Sequence, residues 1–294
     1  MDTLPLRELT PEAFPPLLAE IPQPPKSLWA VGTLPSPRLP LLAVVGSRRY
    51  TSYGRQVVEH LIDGLSSYEV GIVSGLALGI DALAHEAALK AKLYTLAVPG
   101  SGLSDSVIYP RSNRNLARRI VETGGGLLSE LPPDHPAALW TFPQRNRIMA
   151  GMTHATLLIE ADEKSGTLIT ARMAVDYNRE LLVIPGSIFS ATSRGTHQFL
   201  KLGATPITSI EDIVLALNLN QKPNTEHVDT TPSILSPEAT KILHLLREPT
   251  DRDTLIRQSG LEITHASALL TELELTGHIS FAGGVYTALT HLPE

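Results

Sequence analysis

The stretch LLAVVGSRRYTSYG (41–54) decides the fold. A continuous apolar run ends in Gly46, and a short polar turn leads into a helix-like segment, YGRQVVEHLIDGL (53–65). A strand that is apolar on both faces belongs in a parallel sheet covered on both sides. The same kind of run recurs as GIVSG (71–75), YTLAVPG (94–100), GGLLSE (125–130), ATLLIEA (155–161), LLVIPG (181–186) and a weaker TPITS (205–209). Helix-like segments such as GIDALAHEAALKA (79–91) lie between the runs. The alternation predicts an α/β fold whose ligands lie beyond the carboxyl ends of the strands. The dinucleotide fingerprint G-x-G-x-x-G would need a second glycine where Arg48 stands, so a dinucleotide loop is not expected.

A chain of 294 residues suits one large domain and a small one. Residues 1–40 are rich in proline and read as a lead-in that wraps the domain edge. The α/β domain is expected over 41–220, a polar, proline-bearing linker over 221–235, and a small domain over 236–294. The small domain reads as three helices, PEATKILHLLRE, DRDTLIRQSG and ITHASALLTELELTGH, followed by a hairpin turning at Ala282-Gly283-Gly284, which together make a winged helix.

The chain has no cysteine, which excludes disulfides, thiol nucleophiles and zinc–thiolate sites. No apolar run approaches the roughly 20 residues that span a bilayer, and MDTLPLRELTPEAF lacks the pattern of a signal peptide, so a cytoplasmic protein is expected. The net charge is −6, but it is unevenly spread. Residues 41–202 carry 16 Lys/Arg against 14 Asp/Glu, whereas residues 236–294 carry 4 against 8. A polyanion site therefore has to be a local pocket or stripe.

The strand exits are the candidate site. They supply Gly46-Ser47-Arg48-Arg49, Ser74-Gly75, Pro99-Gly100-Ser101-Gly102, Ser165-Gly166-Thr167 and Pro185-Gly186-Ser187. Glycine admits a close backbone approach, and helix N-termini suit anions. Arg48, Arg49, Arg111, Arg114, Arg145, Arg147, Lys164 and Arg194 lie near these exits. Taken singly, such a charge is more often solvated or paired; Arg48, directly after a buried strand and turn, is expected to reach a phosphate. Asn146 is expected to brace the local backbone. Asp81 and His85 have a spacing compatible with a metal pair, but nothing completes a metal site and a polar bond inside a packed helix is favoured. Glu160, Asp162 and Glu163 stand where a general base could act. No P-loop, G-x-S-x-G or H-E-x-x-H motif occurs. Tyr50, Tyr53, Tyr109, Trp140, Phe142 and Phe189 are candidates for base stacking, with burial in the core the alternative for each. The third helix of the small domain carries Glu272 and Glu274 and no Lys or Arg, which argues against duplex reading and for a protein-contact or regulatory module.

Read in order, VVGSRR, SGLALGIDALAHEAAL, VPGSGLSDSVIYPRSNRNL, FPQRNRIMAG, EADEKSGTLITAR and VIPGSIFSATSRGTHQFLKLGA resemble the DNA-processing protein A family, DprA or Smf, over roughly residues 40–210. The resemblance implies an extended Rossmann-like domain with a C-terminal winged helix. It also implies single-stranded DNA binding without sequence preference, homodimers, and loading of a RecA-type recombinase during natural transformation. It implies no enzyme activity, cofactor or metal. Carried onto this chain, the family's DNA-contacting arginine is Arg48 after Gly46 and Ser47. The basic residue after the tyrosine-proline pair is Arg111, the arginine-asparagine-arginine element is Arg145–Arg147, and the serine-glycine pair is Ser165-Gly166. The chain departs from many members in that their N-terminal helical domain is missing or reduced to the lead-in. The competing reading is an N-glycoside hydrolase of the phosphoribohydrolase type, whose P-G-G-x-G-T-x-x-E element is only echoed by KSGTLITA, without its catalytic glutamate.

Overall fold

The computed structural model describes residues 5–222, 236–246 and 248–288. Its contacts divide the chain into two compact units, Met1–Pro223 and Asn224–Glu294. The linker expected at 221–235 lies almost wholly outside the described residues.

In the first unit the parallel strands β3 (Leu41–Val45), β4 (Gly71–Ser74), β5 (Tyr94–Ala97), β6 (Gly126–Ser129), β7 (Ala155–Leu158), β8 (Glu180–Val183) and β9 (Thr205–Pro206) stand in the order 6-5-4-3-7-8-9. Two antiparallel strands extend the β6 edge, β2 (Leu28–Gly32) against β6 and β1 (Arg7–Leu9) against β2. The lead-in set apart on composition is thus built into the sheet. Its strands, of three and five residues, are too short to show a period.

Alternation within each strand separates two layers. Leu42 and Val44 face a core with Val58, Leu61 and Ile62 of α1 (Ser52–Gly64), Ile80, Ala84 and Ala88 of α2 (Ile80–Lys90), and Ile213 of α7 (Ile210–Leu217). Leu41 and Val45 face the opposite core, with Ile148, Met149 and Met152 of α4 (Thr141–Met152), Ala171 of α5 (Thr167–Asp176) and Phe199 of α6 (Arg194–Lys201). Leu18 and Ile21 of the lead-in join that second core. A third cluster packs α3 (Arg114–Glu122) against β5 and β6 through Ala97, Leu116, Ile120 and Leu127.

Each apolar run from the sequence contains a strand, but the ladder stops one to three residues before the run does. The surplus residues are the exit loops. Because β3 lies between β4 and β7, successive connections leave it in opposite directions and open a crevice between the β3 and β7 exits.

The second unit contains α8 (Pro237–Leu245), α9 (Arg252–Ser259) and α10 (Ile263–Leu275), with a sheet ordered β10 (Thr250–Asp251), β12 (Val285–Ala288), β11 (Ile279–Ala282). Leu243, Leu255, Leu270, Leu273 and Ile279 form its core. This is a winged helix. The exposed side of α10 offers Ile263, Glu272, Glu274 and Leu275.

Candidate nucleic-acid interface

The crevice at the switch point is a cleft of about 740 Å³. Its first wall is the β3 exit. The Ser47 hydroxyl donates to the Arg49 carbonyl at 2.7 Å and accepts from the Arg49 N–H at 3.0 Å, closing a tight turn. The Ser47 carbonyl accepts the Ile80 N–H at 3.1 Å, which fastens the turn to the start of α2. Gly79 permits that contact: its φ is +87°, and a Cβ there would lie 2.3 Å from the Ser47 carbonyl oxygen. The turn leaves Arg48 and Arg49 exposed. The Arg48 guanidinium sits 5.2 Å from the centre of the Phe142 ring, and that ring meets Tyr109 edge-on at 5.9 Å.

The floor is polar and buried. Arg145 of α4 donates to the Val98 carbonyl and, through Nε, to Asn146 Oδ1 at 3.1 Å. Asp81, in the first turn of α2, accepts the Gly75 N–H at 3.2 Å. Burial raises the Asp81 carboxyl above the usual range, opposed first by the Arg145 charge. Burial likewise lowers Arg145, opposed by Asp81 and reinforced by Arg48. A Cβ on Gly75 would lie 1.7 Å from Arg145 Nη1, so the glycine is what admits the guanidinium.

The second wall is the β7 exit and the N-terminus of α5, with Lys164, Ser165, Gly166 and Thr167. The Thr167 hydroxyl donates to the Gly46 carbonyl at 3.0 Å and joins the two walls. Ser165 Oγ accepts the Thr167 N–H at 3.2 Å. A Cβ on Gly166 would meet nothing within 4 Å. The positive end of a ten-residue helix therefore opens onto the cleft.

Gly46, Ser47, Arg48, Arg49, Arg145, Asn146, Lys164, Ser165 and Gly166 line this one cleft. Other predicted residues fall elsewhere. Gly75 borders a small adjoining pocket with Arg48, Tyr109 and Phe142, and Gly100 gives its space to the Phe142 ring, 2.6 Å from where a Cβ would stand. Gly46 likewise makes room for Ile80, so these three exit glycines admit protein side chains, and Gly166 differs in facing open space. Arg111 and Arg194 are exposed beyond the cleft lining. Arg147 pairs with Glu130 and donates to the Gln23 carbonyl, binding α4 to the lead-in. Arg114 braces the loop below it by donating to the Ser106 and Ile108 carbonyls.

The carboxylate read as a possible general base is otherwise engaged. Glu160 is buried, accepts the Thr51 N–H at 2.9 Å and the Thr51 hydroxyl at 2.5 Å, and so anchors the start of α1. Asp162 and Glu163 are exposed. Asp81 and His85 do not converge: the His85 Nδ1 partner is Thr95 Oγ1 at 2.8 Å. The Thr95 hydroxyl also lies 3.0 Å from the Ile72 carbonyl, to which it donates. Among the described residues no group of three or more His, Cys, Asp or Glu could hold a metal ion. Of the stacking candidates, Tyr53, Tyr109, Trp140 and Phe189 are substantially exposed, whereas Tyr50 packs under Arg55. The sequence reading missed the Asp81–Arg145 floor and the Thr167 stitch; a threonine placed directly after a serine-glycine pair at a helix start was the available sign of the latter.

Among the described residues no helix is long and apolar enough to cross a membrane. The family model described as DNA recombination-mediator protein A matches residues 7–218, and that of the DprA winged helix domain matches residues 227–284. The chain is 36% identical to protein Smf of Escherichia coli over 95% of its length and 75% of the relative's. It is 40% identical to DNA processing protein DprA of Bacillus subtilis over 72% of this chain and 70% of that protein. The solved structure of DprA from Streptococcus pneumoniae superposes with a TM-score of 0.65 at 37% identity, covering 76% of both chains. That of DprA from Helicobacter pylori, described for its single-stranded DNA binding mode, gives 0.65 at 30% identity, over 74% of this chain and 97% of that one. Fold, relatives and both family models agree: the chain belongs to the DNA recombination-mediator protein A (DprA/Smf) family, whose members are DNA-binding mediators and not enzymes.

Proposed function

We propose that this chain binds the backbone of single-stranded DNA in the switch-point cleft, protects it, and hands it to a RecA-type recombinase during natural transformation or recombination. On this reading it works in the cytoplasm as a homodimer. The observation that carries the reading is Arg48. It is exposed beside the open N-terminus of α5, it stands over an aromatic ring, and its turn is pinned at both ends. Arginine offers a flat fork to one phosphate oxygen pair, and Lys164, Ser165 and Gly166 offer charge and N–H groups to the next. Phe142 and Tyr109 flank the arginine with faces on which a splayed base can stack. The single-stranded DNA binding for which the H. pylori relative is described supports the same ligand class here. In the winged helix, the apolar and acidic surface of α10 suits contact with protein over contact with a duplex.

The test is fluorescence anisotropy with labelled single- and double-stranded oligonucleotides over a salt series. Arg48→Ala is expected to weaken single-strand binding about 10- to 100-fold, the loss of one charge-assisted contact. It should also flatten the slope of log K against log salt by about 0.7, one phosphate's worth of counterion release. An unchanged affinity at moderate salt refutes the proposed pocket.

A further inference from the structure

The loop after β8 holds two adjacent large apolar side chains in the open, Ile188 at 77% and Phe189 at 91% exposure. The loop is nonetheless well tied. The Phe189 N–H donates to Ser187 Oγ at 3.2 Å, the Ser190 N–H to the Ser187 carbonyl at 3.0 Å, and Ser190 Oγ meets Thr192 Oγ1 at 2.9 Å. Beyond it, the Thr192 carbonyl accepts the Ala161 N–H at 2.7 Å, and the Gly186 carbonyl lies 3.0 Å from His197 Nε2. Thr192 itself lines the DNA cleft, and the exposed Arg194 follows at the start of α6. An exposed aromatic tip on a fixed loop, continuous with the cleft through Thr192 and followed five residues later by an exposed arginine, places on the β8 side the same two residue types that Phe142 and Arg48 supply on the other.

Resting on the single-strand reading above, we infer that Phe189, with Ile188 beside it, is a second stacking platform for a nucleobase, and that the strand runs along the sheet edge from Phe142 past Arg48 and the α5 N-terminus to Phe189. The occupant follows from continuity. β8 stands two strands from β3, about 10 Å along the edge, so a strand leaving the cleft in that direction reaches this loop within a few nucleotides. Arg194 then meets the phosphate beyond the stacked base, and base-on-aromatic stacking needs no sequence preference.

The experiment measures affinity for oligothymidylates of about 4 and about 16 nucleotides, the usual limits of such sites, using the full chain and its Phe189→Ala, Phe189→Trp and Arg48→Ala variants. Phe189→Ala should cut the ratio of long- to short-strand affinity about five-fold or more. Phe189→Trp should restore the ratio and add an emission that the long strand quenches. Arg48→Ala should weaken both lengths together. A ratio unmoved by Phe189→Ala overturns the inference and assigns the loop to a protein partner; an equal loss at both lengths overturns it too, since the loop then only shapes the cleft. If Arg48→Ala weakens both lengths while Phe189→Ala moves nothing, the cleft reading stands and this one falls. If the unaltered chain binds neither strand, both fall.

Discussion

Gly75→Ala adds one methyl group at the exit of β4 and should disturb the floor of the switch-point cleft. The new carbon would stand 1.7 Å from Arg145 Nη1, 2.3 Å from Cζ and 2.5 Å from Nη2, where ordinary contact is 3.4–4 Å. The guanidinium must retreat by about 2 Å, which breaks a hydrogen bond. Arg145 is buried and held by the Val98 carbonyl and by Asn146, so it cannot retreat and keep both. A hydrogen bond from a charged group contributes about 1.5–3 kcal/mol, and the same movement withdraws the cation nearest the buried Asp81. Backbone strain adds nothing, because Gly75 does not have a positive φ.

We therefore expect Gly75→Ala to cost about 2–3 kcal/mol and to weaken single-strand binding. The assay is urea unfolding followed by tryptophan fluorescence. The two tryptophans, Trp29 and Trp140, both lie in the first unit, so the winged helix does not enter the signal. The mechanism is tested by a double-mutant cycle with Arg145→Ala, in which the methyl has no guanidinium to meet and should cost less than about 0.5 kcal/mol. A cost for Gly75→Ala that is the same in both backgrounds, or below about 0.5 kcal/mol in the unaltered protein, refutes the reasoning.

Arg147→Ala should lower stability by about 2 kcal/mol by taking the charge partner from the largely buried Glu130, which among the described residues then keeps only its hydrogen bond from Gln144. The folded variant should keep its salt slope for single strands, as anisotropy will show, because Arg147 faces the lead-in. His85 provides a pH signature. Burial lowers its pKa to about 3 from 6.5, so below pH 6.5 the unfolded chain takes a proton that the folded chain refuses. The stability His85 confers is fully present above pH 6.5 and is lost as pH falls toward 3, by up to about 1.4 kcal/mol per unit. Comparing urea midpoints at pH 7 and pH 5 should show a smaller drop in His85→Gln than in the unaltered protein; equal drops refute the assignment.

The parallel sheet was legible because β3, β4 and β7 are buried along their whole length and β8 from Leu181 on, and strands covered on both faces are largely apolar. Their ends were less so, because an apolar residue in an exit loop and one in a ladder look alike in sequence. The antiparallel strands β1 and β2 were hidden for another reason: β2 exists through pairing with β6, a contact across about a hundred residues that no local pattern encodes, and β1 exists only by pairing with β2 in turn.

The site shows the same division. Residue types at the sheet edge were visible, but their partners were not. Gly75 reads as a ligand glycine until Arg145, seventy residues later, is seen to fill the space its side chain would take. The pair Arg145 and Arg147 is more instructive, because the geometry that separates them was available from the start. Two residues along an α-helix turn through about 200°, so their side chains leave on nearly opposite sides. Once 141–152 is a helix, one cleft is not lined by both. One arginine had to enter the cleft and the other had to leave it. The choice between them was made by the lead-in and Glu130, which take Arg147, and by Asp81 and the missing side chain of Gly75, which accept Arg145.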